Sequence, residues 1–454
     1  MSGPRVVLIG AGSASFGLGT LAGLMRTPSL SGATLVLVDL DEAGLEAVAA
    51  LATRLNAEWR AGMRIERHTD RLRALAGGAD FVVVSVASDR EAAWQRDREL
   101  GRRAGIEHYA ENGGPGGLFH AARSIELVLP VARDVERCCP DAWLIVYTNP
   151  LPRVCRAVAR ETRLRVVGLC HQLRFGYMIA GVALAERLGI EVPAGYVFRW
   201  TDESVAHERA IGDAARERLS LTAAGLNHFT WMLSLRDRQT GEELLPALRE
   251  ALTERVHAGF EPLTRQLVRA TGLVPVSGDT HISEYLPYTA SAERFAACAI
   301  PHYDHAWSER RRQVARADAL RLARGEGSVE PLRDTASEGL EELVEAVWHD
   351  TGALQESINL PNPGSHLGLP PGAIVELPAR AARRGLEPVD LPDLPQPALE
   401  WCRRETALVE AVVDAALEPS EANAKRALLL DPMVADLGAV ETLARAFTDA
   451  RARI

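Results

Sequence analysis

Val6-Val7-Leu8-Ile9-Gly10-Ala11-Gly12-Ser13-Ala14-Ser15-Phe16, close to the start of the chain, is the stretch that decides the fold. An apolar run of strand length ends on two glycines one residue apart and passes directly into a helical pattern. Gly10 permits the tight strand-to-helix turn. Gly12 lets the backbone approach a pyrophosphate, whose charge is met by the free N–H groups and positive dipole end of the helix that follows. The third glycine of the usual pattern is replaced by Ser15. Asp39 closes the next strand, Leu35-Val36-Leu37-Val38-Asp39, where a carboxylate accepts from the ribose hydroxyls and repels a 2′-phosphate. The turn therefore reads as an NAD site built from Gly10, Gly12, Ser13, Ser15, Phe16 and Asp39. Its bland alternative is a glycine turn in an α/β fold that binds no nucleotide.

Working outward, short apolar runs alternate with amphipathic stretches, the rhythm of a parallel sheet whose strands are buried on both faces. The pattern predicts strands over Arg5–Ile9, Thr34–Val38, Phe81–Val86, Trp143–Tyr147 and Val166–Leu169. Helices are expected at Phe16–Met25, Leu45–Ala57, Ala92–Ala104, Ser124–Arg137 and Val154–Glu161. Beyond about residue 170 the rhythm changes to long helical patterns at Glu250–Ala270, His305–Arg324 and Pro397–Ala416, with strand-like pieces near Leu219–Ala223 and Ala373–Leu377. Asn359–Pro371 reads as an ordered loop or linker. The expected fold is α/β, with a Rossmann-like doubly wound parallel sheet over residues 1–168. An α+β domain over 169–454, resembling that of lactate and malate dehydrogenases, is expected to carry catalysis and oligomerisation.

Composition narrows the class. The chain has 454 residues and a net charge of −10 spread along its length, which argues for a soluble surface and against nucleic acid as a partner. The densest acidic stretch, Glu338 to Glu345, reads as the wet face of a helix. No apolar run reaches the roughly 20 residues of a membrane helix. The six cysteines lack paired spacing, as in reduced cytoplasmic proteins. A cytoplasmic location is the expectation.

Four further segments carry chemistry: Glu111-Asn112-Gly113-Gly114-Pro115-Gly116-Gly117, Tyr147-Thr148-Asn149-Pro150, Gly168-Leu169-Cys170-His171-Gln172 and Gly225-Leu226-Asn227-His228-Phe229. Cys170 falls at the C-terminal end of a predicted strand, where open α/β sheets place ligands. A thiolate there and the His228 imidazole can hold a first-row divalent ion while leaving positions for hydroxyls and water. The plain alternative is a small core cysteine and a satisfied histidine. Asn149 precedes Pro150 at a strand end; its amide can bridge nicotinamide ribose and substrate, or it can simply form a turn.

Taken in order with the Gly10–Phe16 turn, and with Asn359-Leu360-Pro361-Asn362 and Val375-Glu376-Leu377-Pro378 downstream, these segments resemble the family 4 glycoside hydrolases. The resemblance implies an NAD- and divalent-metal-dependent enzyme, usually with manganese, that stands outside the two-carboxylate mechanism of most glycosidases. It implies oxidation at C3 of the sugar, removal of the C2 proton by a base, elimination of the aglycone, addition of water and re-reduction. Cys170 and His228 are then the metal ligands, and Asn149, His171, Arg174 and Asn227 face the sugar. Members acting on 6-phosphorylated sugars tend to carry Asp or Asn where His171 stands, so a non-phosphorylated glycoside is expected; an α linkage is expected only through the match at Asp279. Arg174 would suit a uronate or sulfonate, or be a surface arginine.

The base expected from the α-glycoside branch is Asp279, with Tyr285 in reserve, and Glu111 takes the position of the acid. At that position the family more often has Asp followed by Thr. A homodimer or homotetramer is expected from the family. Two other readings remain open at this point. One is a malate- or lactate-type dehydrogenase using Arg123 and His228. The other is a non-catalytic NAD-binding protein.

Overall fold

The structure, a computed structural model, describes residues 3–12, 14–335 and 337–451, with residues 14–17 described through their backbone alone. Six parallel strands come from the first 168 residues: β1 (Arg5–Ile9), β2 (Thr34–Val38), β3 (Arg64–His68), β4 (Phe81–Val84), β5 (Trp143–Val146) and β6 (Arg165–Gly168). They lie in the order β3-β2-β1-β4-β5-β6, the doubly wound arrangement in which ligands bind beyond the carboxyl ends of the strands. β1, β4 and β5 are almost wholly buried Val, Leu and Ile, as strands covered on both faces must be. β3, Arg-Ile-Glu-Arg-His at the sheet edge, was not among the expected strands.

The second half does not build a separate sheet. Its strands are β7 (Leu219–Leu226), β8 (Phe229–Asp237), β9 (Ala353–Pro361), β10 (Ile374–Ala382) and β11 (Gly385–Pro388). β9, β10, β7 and β8 follow β6 in the same eleven-stranded sheet, all through antiparallel pairings, and β11 pairs with β10. The expected α+β portion thus shares its sheet with the Rossmann portion. One register row runs across the junction: Gly168 of β6 pairs with Asn359 of β9, Asn359 with Glu376 of β10, and Glu376 with Gly225 of β7. Cys170 lies two residues beyond one end of that row. Asn227 and His228 form the two-residue turn between β7 and β8, next to the other end.

Several expected elements shift for physical reasons. The helix expected from Ser124 begins at Gly114 and runs to Cys138. Its glycine-rich start is held by tertiary hydrogen bonds rather than by propensity. The helix expected over Glu250–Ala270 is two, Leu245–Glu254 and Pro262–Thr271, because Pro262 cannot continue a helix and starts a new one. Asn359–Pro361, expected as loop, is the end of β9. In the acidic stretch, Glu341 is buried and paired with Arg26, so that segment is not uniformly a wet face.

Candidate active site

At the first turn, Gly10 adopts φ +94°, and a Cβ there would lie 1.9 Å from the Ser85 carbonyl oxygen. A Cβ on Gly12 would meet the Asp39 carboxyl carbon at 2.8 Å. The Gly12 N–H donates to Asp39 Oδ2 at 2.7 Å and the Asp41 N–H to Oδ1 at 2.9 Å, which fixes the carboxylate at the end of β2. Both glycines are thus required sterically. The helix Ala14–Arg26 follows directly, carrying Ser15 and Phe16 on its first turn, while Ser13 lies outside the described residues. This cradle, with its N–H groups and a fixed carboxylate, has the shape a dinucleotide requires.

Asn149, part-buried, follows β5, and its backbone carbonyl accepts from the Ser124 hydroxyl at 2.6 Å. Thr148 beside it bridges to the segment that follows β4, its hydroxyl 3.1 Å from both the nitrogen and the carbonyl oxygen of Val86. The Asn149 amide sits at the carboxyl ends of the strands, as expected.

Cys170 and His228, 58 residues apart in sequence, meet: Sγ lies 3.3 Å from Nε2. Sulfur and nitrogen ligands held about 2.3 and 2.1 Å from one ion span this distance at close to a right angle. Burial pushes the Cys170 thiol far up, and the Glu338 and Glu376 carboxylates push it further. Burial also drives the His228 imidazole well down, helped by His281 and His171, so its ring is neutral with a lone pair available. Among the described residues no third His, Cys, Asp or Glu joins them as a cluster. The pair suits an ion that keeps several positions open for ligand oxygens.

Close to this pair in the chain or across the sheet are buried polar atoms without protein partners: Gln172 Oε1, Asn227 Oδ1, His228 Nδ1 and both side-chain atoms of Asn359, which is paired with Gly168. Buried polar groups are ordinarily paired, so such a concentration marks a place where a polyhydroxylated ligand would complete the hydrogen bonding. His171 is 64% exposed and its Nδ1 meets Glu338 Oε1 at 2.5 Å; that carboxylate raises its pKa. Glu208 stands close by as well.

Of the two readings of Arg174, anion contact or surface arginine, the structure shows the second: its guanidinium meets the exposed Asp213 carboxylate at 2.6 Å. Arg123, the arginine of the dehydrogenase reading, is clamped through both Nη atoms by buried Asp97. That pairing removes the substrate arginine which the reading needs.

Asp279, the expected base, caps a helix in the fold. Its Oδ2 accepts from the Leu263 N–H and its Oδ1 from the Thr264 N–H, both at 2.7 Å, satisfying the first turn of the helix Pro262–Thr271. Its own N–H donates to Glu261 at 2.5 Å. Burial raises both carboxyls of this pair, Glu261 further than Asp279 because the Asp279 charge adds to it. The sequence offered no signal for this role, since the capped turn lies 15 and 16 residues upstream.

Tyr285, the reserve base, is buried, stacks on Phe229 with centroids 4.9 Å apart, and donates to the Asn227 carbonyl at 3.3 Å. It therefore sits next to His228. Glu111 is buried as well, so it is not a solvated loop carboxylate. Burial pushes its pKa up, but Arg90, 3.0 Å away, prevails and holds it below the usual range. An ionised carboxylate is a poor proton donor, which weighs against the acid role expected for Glu111.

Residue types alone did not single out two further groups. His281 stacks face to face on His228, with ring centroids 4.3 Å apart and planes 9° from parallel. Glu284 is fully buried; its Oε1 receives the N–H groups of Glu111, Asn112 and Gly113 at 2.6, 2.9 and 3.3 Å, and its Oε2 faces His281 Nδ1 at 3.3 Å. One carboxylate thus ties the glycine-rich loop to the histidine over the Cys170–His228 pair. The signal was the His281-Ile282-Ser283-Glu284 spacing at the end of the short helix Gly278–Ile282.

Comparison with known proteins places these features in a group. The profile of the family 4 glycosyl hydrolases matches residues 5–181, and that of the family 4 glycosyl hydrolase C-terminal domain matches residues 223–434. An α-glucosidase of Erwinia rhapontici is 28% identical, over 94% of this chain and 93% of its own. An α-galacturonidase of Bacillus subtilis is 27% identical, over 95% and 93%. A 6-phospho-α-glucosidase from gut microorganisms, solved in complex with NAD and Mn2+, superimposes with a TM-score of 0.76 at 19% identity, over 99% of this chain and 98% of that one.

Proposed function

Because this chain belongs to the family 4 glycosyl hydrolases, we propose that it cleaves a non-phosphorylated α-glycoside with NAD and a divalent ion, manganese by preference, as its cofactors. The observation that carries the proposal is the meeting of Cys170 and His228 at 3.3 Å amid buried, unpartnered amides at the carboxyl ends of the strands. The fold's likeness to a protein solved with NAD and Mn2+ supports the choice of cofactors. When bound, NAD supplies a reversible hydride acceptor for C3 of the sugar, and the ion polarises the sugar oxygens so that the C2 proton becomes acidic.

The chain's own residues do the rest. Gly10, Gly12 and the N-terminus of the helix Ala14–Arg26 receive the pyrophosphate, and Asp39 the adenosine ribose. Cys170 Sγ and His228 Nε2 hold the ion; His171, Asn227 and Asn149 orient the sugar hydroxyls. With the Asp279 carboxylate engaged by its helix, Tyr285 Oη, which hydrogen-bonds the carbonyl beside His228, would take the C2 proton as its phenolate, its own proton having first left to solvent. Burial and the Glu284 charge hold that proton on, and the positive charge of the ion would favour its release. Glu111, ionised beside Arg90, is suited to accept a proton and orient water rather than to deliver a proton to the leaving group.

Two observations favour a substrate without a phosphate. Glu338 and Glu208 flank His171, where a phosphate dianion would meet carboxylates. Arg174 already has a partner in Asp213, which favours a neutral sugar over a uronate. The test is a panel of neutral, uronic, sulfonated and 6-phosphorylated aryl α-glycosides, with and without NAD and Mn2+. Release of aryl alcohol that requires both, without build-up of NADH, supports the proposal. NADH accumulating without release would replace it with a dehydrogenase.

A further inference from the structure

Glu376 stands in the middle of β10 between Val375 and Leu377, both fully buried, where an apolar residue would pack without desolvation cost. Its carboxylate is also almost wholly buried, yet among the described residues no Arg, Lys or His hydrogen-bonds to it. Instead Oε2 receives two side-chain amides, Gln172 Nε2 at 2.5 Å and Asn227 Nδ2 at 2.9 Å, while Oε1 receives the Ser357 hydroxyl. Gln172 comes two residues after Cys170 and Asn227 immediately before His228. One carboxylate therefore grips both turns that deliver the sulfur and the nitrogen of the ion site, from 204 and 149 residues away in sequence.

Only the NH2 end of an amide can donate to a carboxylate. The grip therefore also fixes which way each amide points, and it leaves Gln172 Oε1 and Asn227 Oδ1 buried and without protein partners. The same register row, Gly168–Asn359–Glu376–Gly225, sets the spacing of the two turns in the backbone.

We propose that Glu376 is the positioning residue of the ion site: by holding Gln172 and Asn227 it sets the separation of Cys170 Sγ and His228 Nε2 and turns two amide oxygens toward the ligand. This rests on the reading of Cys170 and His228 as the ion's ligands. A glutamine at 376 reproduces the grip, its Oε1 accepting both amides and its NH2 donating to Ser357. A leucine keeps the volume and loses the grip.

The test is Mn2+ binding alone, measured by calorimetry on the chelator-stripped full-length protein, with melting temperature and NAD binding as controls. Glu376→Gln should stay within about threefold of the unmodified protein, and Glu376→Leu should bind Mn2+ about 10–100-fold more weakly with NAD binding kept. Should Glu376→Leu fail to fold, Asn227→Ala removes one arm of the grip and should weaken Mn2+ binding in the same direction. Wild-type-like Mn2+ affinity in Glu376→Leu, or in Asn227→Ala if that is the variant that folds, overturns the proposal while Cys170→Ser loses binding. Equal losses in Glu376→Gln and Glu376→Leu overturn it too. If the unmodified protein and Cys170→Ser behave alike toward Mn2+, the ion-site reading falls and the proposal with it.

Discussion

Replacing Asp279 separates a structural role from a chemical one. In the structure the Asp279 carboxylate accepts two buried backbone N–H groups at 2.7 Å, from Leu263 and Thr264. Asp279→Ala orphans both. A buried donor without a partner costs about 1–3 kcal/mol, and loss of a helix N-cap about 0.5–2 kcal/mol, so a destabilisation of roughly 3 kcal/mol is expected. Asp279→Asn keeps one accepting oxygen and turns its NH2 toward the other N–H, so about half of that loss remains. It also removes the negative charge beside Glu261, which returns part of the difference. If Asp279 is only a cap, kcat of the folded Asn variant should lie within about tenfold of the unmodified enzyme. A general base would cost about 100–10,000-fold. Denaturant unfolding followed by circular dichroism, paired with aryl alcohol release, reads both quantities. An Asp279→Asn protein that unfolds like the original yet has lost a hundredfold or more in kcat would refute the cap argument and return the base role to Asp279.

Three other outcomes follow from the geometry. Gly12→Ala drives a Cβ into the Asp39 carboxylate, so NAD affinity measured by fluorescence titration should fall about 10–100-fold, the value of a hydrogen bond to a charged group; unchanged affinity would remove Asp39 from the ribose site. Burial pushes the Glu405 carboxyl up to about 7 despite buried Arg153 beside it. The folded state therefore binds the proton more tightly than the unfolded one. That contribution is complete below the unfolded value near 4.3 and is lost as pH rises through about 7, on the order of 3 kcal/mol. Melting temperatures at pH 5 and pH 8 should fall more for the unmodified protein than for Glu405→Gln, and parallel slopes would contradict the assignment. Arg174→Ala, which breaks an ion pair with Asp213 at the cleft edge, should leave kcat/KM for a neutral glycoside within about fivefold; a far larger loss confined to uronides would show that the arginine leaves Asp213 to bind the sugar.

Much of this was legible because the residues concerned answer to local rules. β1, β2, β4 and β5 are parallel strands buried on both faces, and such strands read as continuous apolar runs. The glycine turn and Asp39 carry their own steric logic. Cys170 and His228 were paired through the resemblance, and the structure brings them together just beyond the ends of β6 and β7. Other features depend on partners that no local pattern specifies. β3 is an edge strand full of charge, and β9 ends in Asn and Pro, so neither looks like a strand until its neighbours are in place. The glycines at 113–117 read as loop, although Glu284 and His108 collect their N–H groups and let a helix start there. Asp279 was expected as a base through the resemblance; the two N–H groups that it accepts from come from another helix. Glu376 was visible as a charge within an apolar strand, and its meaning appeared only with Gln172 and Asn227 on either side of it.

On the proposed mechanism, hydrolysis proceeds by way of a proton removed from C2 of the sugar. Running the reaction in D2O with NAD and Mn2+, and reading the released sugar by NMR, tests it directly. The account predicts deuterium at C2 of the product, with incorporation lost in Cys170→Ser. Aryl alcohol release that leaves C2 fully protonated would contradict the account and point to direct displacement at C1.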